Sequence, residues 1–273
     1  MQASPVWTPP QGTLGGIVAE AFERAVALRG REAELRRLAS RAAAPPSFVA
    51  ALRGPAVGVI AEVKRRSPSK GWINPGLTAA DQALAYQRGG AAAVSVLTEP
   101  VHFGGSVGDL EAVRRSVAIP VLKKDFHVEP IQLVEAKAIG ASAALLIARA
   151  LSPNALVRMA DAARSLALEV LIEVRDEDEL TRALDVGASL VGINNRNLES
   201  LEIEEGTAER LLARVPASVV AISESGVAAR ADVERVALAG ADAVLVGSAI
   251  SAAADPAAAV GGLAGVPRVS RAR

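Results

Sequence analysis

SVVAISESGVAARADVERVALAGADAVLVGSAIS, residues 218–251, contains one complete structural period. An apolar run, SVVAIS (218–223), leads into a polar loop, ESGVAAR (224–230). A helix-like segment follows and stops at Gly240, and a second apolar run, AVLVGS (243–248), begins. Strand, helix, strand is how a parallel sheet is built, because each crossover must carry the chain back to its starting edge. Gly240 before Ala-Asp suits a left-handed helix stop.

The same period extends through the chain. Working back from 218, apolar runs stand at LVGINN (190–195), EVLIEV (169–174), AALLIA (143–148), PVLKKD (120–125), AVSVL (93–97) and VGVIAEV (57–63). With the two above, that makes eight. Helix signals lie between them. Ser152-Pro153 offers an N-cap with proline in the first turn, Asp176 opens another helix and Thr78 a third. Gly140 and Gly187 repeat the glycine stop. An open doubly wound sheet competes with a closed one. Eight units in a chain near the ~250 residues typical of the fold favour an α/β (β/α)8 TIM barrel. Residues 47–273 read as that single barrel. Residues 1–46 read as an N-terminal extension. Its first twelve residues, with Pro5, Pro9 and Pro10, look flexible. Thr13 to Arg41 reads as helical, with Leu14, Ile17, Val18, Phe22, Val26 and Leu28 at near-helical spacing, until Pro45-Pro46 breaks it. A lid or brace for the barrel is the expected role.

Composition limits the function. The chain of 273 residues has 30 basic and 30 acidic side chains. Nucleic-acid binding, which leaves a basic footprint, is not expected. There is no cysteine and there are two histidines. This excludes disulfides, thiolate metal sites and cysteine nucleophiles, and argues against a histidine-rich metal centre. No apolar run approaches the ~20 residues of a membrane span. The N-terminus lacks a signal-peptide pattern, so a cytoplasmic location is expected, with no membrane partner.

In such barrels the chemistry lies at the carboxyl ends of the strands. Here the runs end in Glu62-Val63-Lys64, Lys123-Lys124-Asp125, Glu173, Asn194-Asn195-Arg196, Glu224-Ser225-Gly226 and Gly247-Ser248. Residues two apart on a strand share a face, so Glu62 and Lys64 point together into the mouth while Val63 turns outward. Only one of Lys123 and Lys124 can enter. Taken singly, Glu62 and Lys64 could be a structural ion pair, and Glu173 an exposed carboxylate. Coincidence at five strand ends is far less plausible. Barrels often bind phosphate through the last two loops and a helix N-terminus. Gly226, Gly247 and Ser248 stand there, and Ser67 in the SPSKG loop (67–71) is a further donor.

Several motifs resemble those of the indole-3-glycerol-phosphate synthase family. They are IAEVKRRSPSKG (60–71), SVLTEP (95–100), FGGS (103–106), VLKKDF (121–126), LIEV (171–174), GINNRNL (192–198), SESG (223–226) and VLVGS (244–248). The match runs in order from about Pro55 to Ile250. It implies ring closure of a carboxyphenylamino-deoxyribulose phosphate with loss of CO2 and water, without cofactor or metal. It further implies that Lys124 is the general acid on the ketone and that Glu173 acts in dehydration. Lys64 holds the substrate carboxylate. Glu62, Asn194 and Glu224 orient substrate and lysines, with Ser225 beside them. Ser67, Arg196, Gly226, Gly247 and Ser248 would contact the phosphorylated substrate, and Phe103 and Phe126 its aromatic ring. Asn197 stands where the family commonly has aspartate. The expected partner is a phosphorylated small molecule, with a monomer or weak homo-oligomer as the assembly. A related barrel, phosphoribosylanthranilate isomerase, uses a cysteine that this chain lacks. A non-catalytic phosphate-binding barrel is the remaining alternative.

Overall fold

The computed structural model describes residues 7–204 and 206–271. Pro5 and the rest of residues 1–6 lie outside them. The eight runs form β1 (Gly58–Val63), β2 (Ala93–Leu97), β3 (Val121–Lys124), β4 (Ala143–Ile147), β5 (Glu169–Val174), β6 (Leu190–Asn194), β7 (Val220–Glu224) and β8 (Ala243–Val246). Each pairs in parallel with its neighbours, and β8 returns to β1, closing the barrel. In register, Gly58 faces Ala243 on one side of β1, and Glu62 faces Ser95 on the other.

Alternation along each strand divides the core in two. Outward side chains such as Val59, Val63, Val94, Val96 and Val244 meet the surrounding helices. Inward ones such as Ile60, Ala93, Leu122, Ala143, Leu171, Leu190, Val220 and Ala243 fill the lower barrel. A short helix after the proline pair, Phe48–Ala51, closes the floor with Phe48 and Leu52, both fully buried. Glu169 fixes it there. The Glu169 carboxylate accepts from Ser47 Oγ at 2.6 Å and from the amides of Phe48 and Val49 at 2.7 and 2.9 Å. Gly58 makes room for this floor, since a Cβ on it would sit 2.8 Å from Leu52 Cδ2.

The helix signals hold where chemistry supported them. Ser152 Oγ accepts from the Ala155 amide, and Asp176 Oδ1 from the Glu179 amide at 2.8 Å. Thr78 precedes its helix, Ala79–Arg88, without a side-chain cap. Gly140, Gly187 and Gly240 have φ of 80°, 78° and 98°, the left-handed stop that glycine adopts without a Cβ clash.

The extension departs from its expected form in two ways. It is two helices, α1 (Gly12–Arg29) and α2 (Glu32–Arg41), broken at Gly30-Arg31. Moreover, Phe22 and Val26, 45% and 59% exposed, face outward, while Ala21 and Ala25 are fully buried. The helix lies so close to the barrel that alanine, not the larger side chains, fits the contact. Leu14, Ile17, Val18 and Ala21 join the inner core beside Phe126 and Val128, and Ala25 meets Ile131 and Val134.

Candidate active site

Above the apolar layers the barrel opens into a cavity of about 310 Å³. Among the described residues, every candidate site residue borders it: Glu62, Lys64, Ser67, Phe103, Lys124, Phe126, Glu173, Asn194, Arg196, Glu224, Ser225, Gly226, Gly247 and Ser248. They come from seven of the eight barrel strands or the loops that follow them. Strand alternation puts the glutamates and Lys124 there, because each lies two positions beyond an inward apolar residue, as Glu62 does beyond Ile60 and Lys124 beyond Leu122.

Lys123 and Lys124 separate as the pleat requires. Lys123 turns out of the barrel, 2.9 Å from Glu135 and 3.8 Å from Asp125. Lys124 turns in, with its Nζ 3.2 Å from Glu62 Oε2 and 3.6 Å from Glu224 Oε2. Lys64 Nζ lies 2.8 Å from Glu62 Oε1. Glu62 thus bridges both lysines. Its ion pair with Lys64 is part of the cavity wall, so the structural and functional readings of that pair coincide. Glu173 enters none of these pairs.

The two buried glutamates are driven apart in protonation. Burial alone would push Glu62 up, but Lys124 and Lys64 outweigh it and hold the carboxyl down at about 2. Burial and then Glu173 push Glu224 up to about 8, against the pull of Lys124. Lys124 loses charge stability to burial, yet Glu62, Glu224 and Glu173 more than restore it and raise its pKa above the ordinary lysine range. Near neutrality the site therefore sets its two lysines against an ionised Glu62 and a protonated Glu224. That balance suits an anionic ligand, and the division of roles between neighbouring carboxyls is the usual route to acid–base chemistry.

Apart from the ion pairs with Lys124, neither oxygen of Glu224 nor Glu62 Oε2 has a hydrogen-bond partner among the described residues. Buried polar atoms left open in this way are uncommon in finished structural networks. Glycine makes the crowding possible. A Cβ on Gly192 would stand 2.0 Å from Glu224 Oε1, and one on Gly247 2.4 Å from Glu62 Oε1. Gly247 was expected to let a phosphate approach, but here its small size is also required by a carboxylate.

Asn194 and Ser225 meet directly, with Ser225 Oγ donating to Asn194 Oδ1 at 2.9 Å. Ser225 is held at φ 64°. Arg196 donates from its backbone to Asn194 Oδ1 and from its guanidinium to the Leu201 carbonyl at 2.7 Å. The SPSKG segment forms part of a small hairpin, Arg66–Ser67 paired with Gly71–Trp72, and Ser67 is buried within it. Asn197 orders its loop without a carboxylate, since its Oδ1 accepts from Glu199 N at 2.9 Å.

Sequence reading missed part of the wall. Thr13, Leu14 and Ile17 of α1 border the cavity, as do Leu198, Leu201 and Ile203 after β6. With Phe103 and Phe126, whose ring centroids are 6.1 Å apart, α1 contributes to an apolar lining. Its apolar spacing was visible in sequence, but its point of contact was not. Asn195 was also missed. It points away from the cavity and holds Ser225 from behind, donating to the Ser225 carbonyl at 3.0 Å. Behind Glu62, Tyr86 Oη and Ser251 Oγ both donate to its backbone carbonyl, at 3.2 and 2.9 Å.

Comparisons with known proteins follow this geometry. A family model described as "Indole-3-glycerol phosphate synthase" matches residues 16–263. The indole-3-glycerol phosphate synthase of Rhodococcus jostii is 49% identical over 227 residues, spanning 82% of this chain and 84% of its own. That of Streptomyces griseus is 49% identical over 230 residues, 84% and 86% of the two chains. Among solved structures, 3-hexulose-6-phosphate synthase from Salmonella typhimurium aligns with a TM-score of 0.60 at 16% identity, over 76% of this chain and 96% of that one. Identity this low speaks to the fold alone.

Proposed function

The chain belongs to the indole-3-glycerol phosphate synthase family, and on that premise we propose that it is a tryptophan-biosynthetic carboxy-lyase. It converts 1-(2-carboxyphenylamino)-1-deoxyribulose 5-phosphate to indole-3-glycerol phosphate, releasing CO2 and water. One observation carries the reading: Lys64, Lys124 and Glu173, at the carboxyl ends of β1, β3 and β5, border a single cavity of about 310 Å³. That volume suits one small phosphorylated molecule.

The chemistry follows from the charges. When the aryl carbon attacks the ketone, negative charge builds on the carbonyl oxygen. Lys124, kept protonated chiefly by Glu62, donates a proton there. Lys64 holds the substrate carboxylate until CO2 leaves. Loss of the new hydroxyl then needs an acid, and formation of the indole double bond needs a base to take one proton. Glu173, outside the ion pairs, is that base. Glu62 keeps both ammonium groups in place, while Glu224, Asn194 and Ser225 orient the ketose. Ser67, Arg196, Gly226, Gly247 and Ser248 receive the phosphate end, and Phe103 and Phe126 the aromatic ring. We read residues 1–46 as an extension that completes the wall of the barrel, residues 47–273.

Product formation followed by indole fluorescence tests this. Lys124→Ala is expected to lower kcat by at least the ~10²–10⁴ typical of a positioned acid, with the barrel still folded by circular dichroism. Glu173→Gln should reduce kcat far more than it raises KM. Near-normal turnover by either variant refutes the role given to it.

A further inference from the structure

Glu173 stands in a wall between two cavities. Leu14, Ile147, Asn194, Arg196 and Leu198 complete that wall. Behind it lies a second chamber of about 130 Å³, which Glu179 also borders. A water molecule occupies about 30 Å³ of liquid and settles where several polar groups surround it, so the chamber has room for a short water chain. Its lining is polar and apolar in nearly equal parts. Arg149, Asp176, Arg196 and Glu199 face it together with the two glutamates.

We propose that this chamber is the proton outlet of Glu173, and that Glu179 is the relay carboxyl through which the proton reaches solvent. This rests on the reading of Glu173 as the base. In each turnover Glu173 would gain one substrate proton and must lose it before the next. With substrate in the mouth, the front route is closed. The balanced path breaks the O–H bond at Glu173, forms one on chamber water, transfers a proton from that water to the Glu179 carboxylate, and releases a proton from Glu179 to bulk water.

Glu179 is built for exchange. It sits in the first turn of the helix Glu177–Asp185, is buried, and accepts the Arg175 amide on Oε2 at 2.7 Å. Burial, then Asp176, push its carboxyl up to about 7, with Glu173 adding to the effect and the Arg175 amide and Arg182 opposing it. Near neutrality it both takes and gives a proton. Helix capping alone requires an acceptor, but neither this burial nor a shared chamber with Glu173.

The test is Glu179→Gln, which preserves size and an oxygen acceptor but cannot titrate. With KM within about twofold, kcat should fall about tenfold while the first turnover keeps nearly its wild-type rate. The solvent deuterium isotope effect should rise, and the rate limb near pH 7 should vanish. Glu179→Asp should restore much of the rate, and added formate should rescue Glu179→Gln. Unchanged rate, isotope effect and pH profile overturn the relay. So does a loss confined to thermal stability. Should Glu179→Gln fail to fold, the wild-type rate in H2O–D2O mixtures decides: a curved proton inventory supports the relay and a linear one overturns it. Glu173→Gln separates the two ideas. If it is inert while Glu179→Gln is normal, only the relay fails. If Glu173→Gln is itself active, the base reading fails and the relay with it.

Discussion

Two ionic clusters lie on opposite faces of β3, one residue apart in sequence. Outside, Lys123 meets Glu135, Asp125 and His127, Asp125 accepts from Thr98 Oγ1 at 2.6 Å and pairs with Arg24 at 3.0 Å, and the His127 ring bonds the Leu145 carbonyl. Nearly every polar atom there is engaged, Arg24 Nη1 being an exception. Glu99, next to it, holds three backbone amides of residues 101–103. Inside, Lys124 has comparable charge density around it, but apart from those ion pairs Glu62 Oε2 and both Glu224 oxygens are left without hydrogen bonds among the described residues. The outer cluster spends its hydrogen bonds on tying α1 and the neighbouring helix to the barrel. The inner one holds charges under tension, available to something that enters. Clustered charge thus has two meanings, and the satisfaction of the polar atoms distinguishes them.

The sharpest way to break this comparison is to remove each lysine in turn. Loss of Lys124 is expected to abolish turnover with the fold kept. Lys123→Ala should do the reverse, leaving Glu135 and Asp125 buried without their cation and costing about 3–5 kcal/mol of stability. Turnover per folded molecule should stay near wild type. Denaturant melts beside active-site-titrated kinetics would separate the two, and matching effects would erase the distinction. A smaller effect is expected from Gly247→Ala. Its Cβ would press on Glu62 and loosen Glu62 from the lysines, lowering kcat/KM about tenfold, or about 1.4 kcal/mol. An alanine variant with unaltered kinetics would mean that Glu62 does not need its present place.

The smallest effect concerns pH. A carboxyl raised in the folded state contributes stability that is present below its unfolded value and lost as pH rises through the folded one. For Glu224 that window runs from the ordinary glutamate range to about 8. Glu62 acts oppositely, its contribution being present above the ordinary range and lost as pH falls toward about 2. Glu224→Gln should therefore flatten the decline of Tm between pH 5 and 8 while leaving the acid limb unchanged. An unaltered slope would show that Glu224 is ionised at neutrality.

Much of the barrel was legible because the signals are local. A run such as AALLIA, set between helix signals, reads as a strand covered on both faces, and Gly140, Gly187 and Gly240 each mark a helix end by their own conformational freedom. The inward placing of Glu62 and Lys64 followed from the two-residue pleat, which left Lys123 and Lys124 open until the family resemblance pointed to Lys124. The extension was harder. Apolar spacing in α1 was visible, yet it did not reveal that Ala21 and Ala25 make the close contact, that Phe22 and Val26 face outward, or that Leu14 and Ile17 reach the cavity. Those facts depend on how near a helix approaches a partner distant in sequence.

The sequence by itself determined the eight-fold alternation, the strand ends that carry charge, and that residues two apart share a face while neighbours part, since these depend on backbone period and on residues adjacent in the chain. Only the tertiary structure decided that Glu62 bridges two lysines, that Gly192 and Gly247 leave space for carboxylates, and that Glu173 divides two cavities. Each of these is set by distances of a few ångströms between side chains far apart in sequence, and such distances exist only once the barrel has closed.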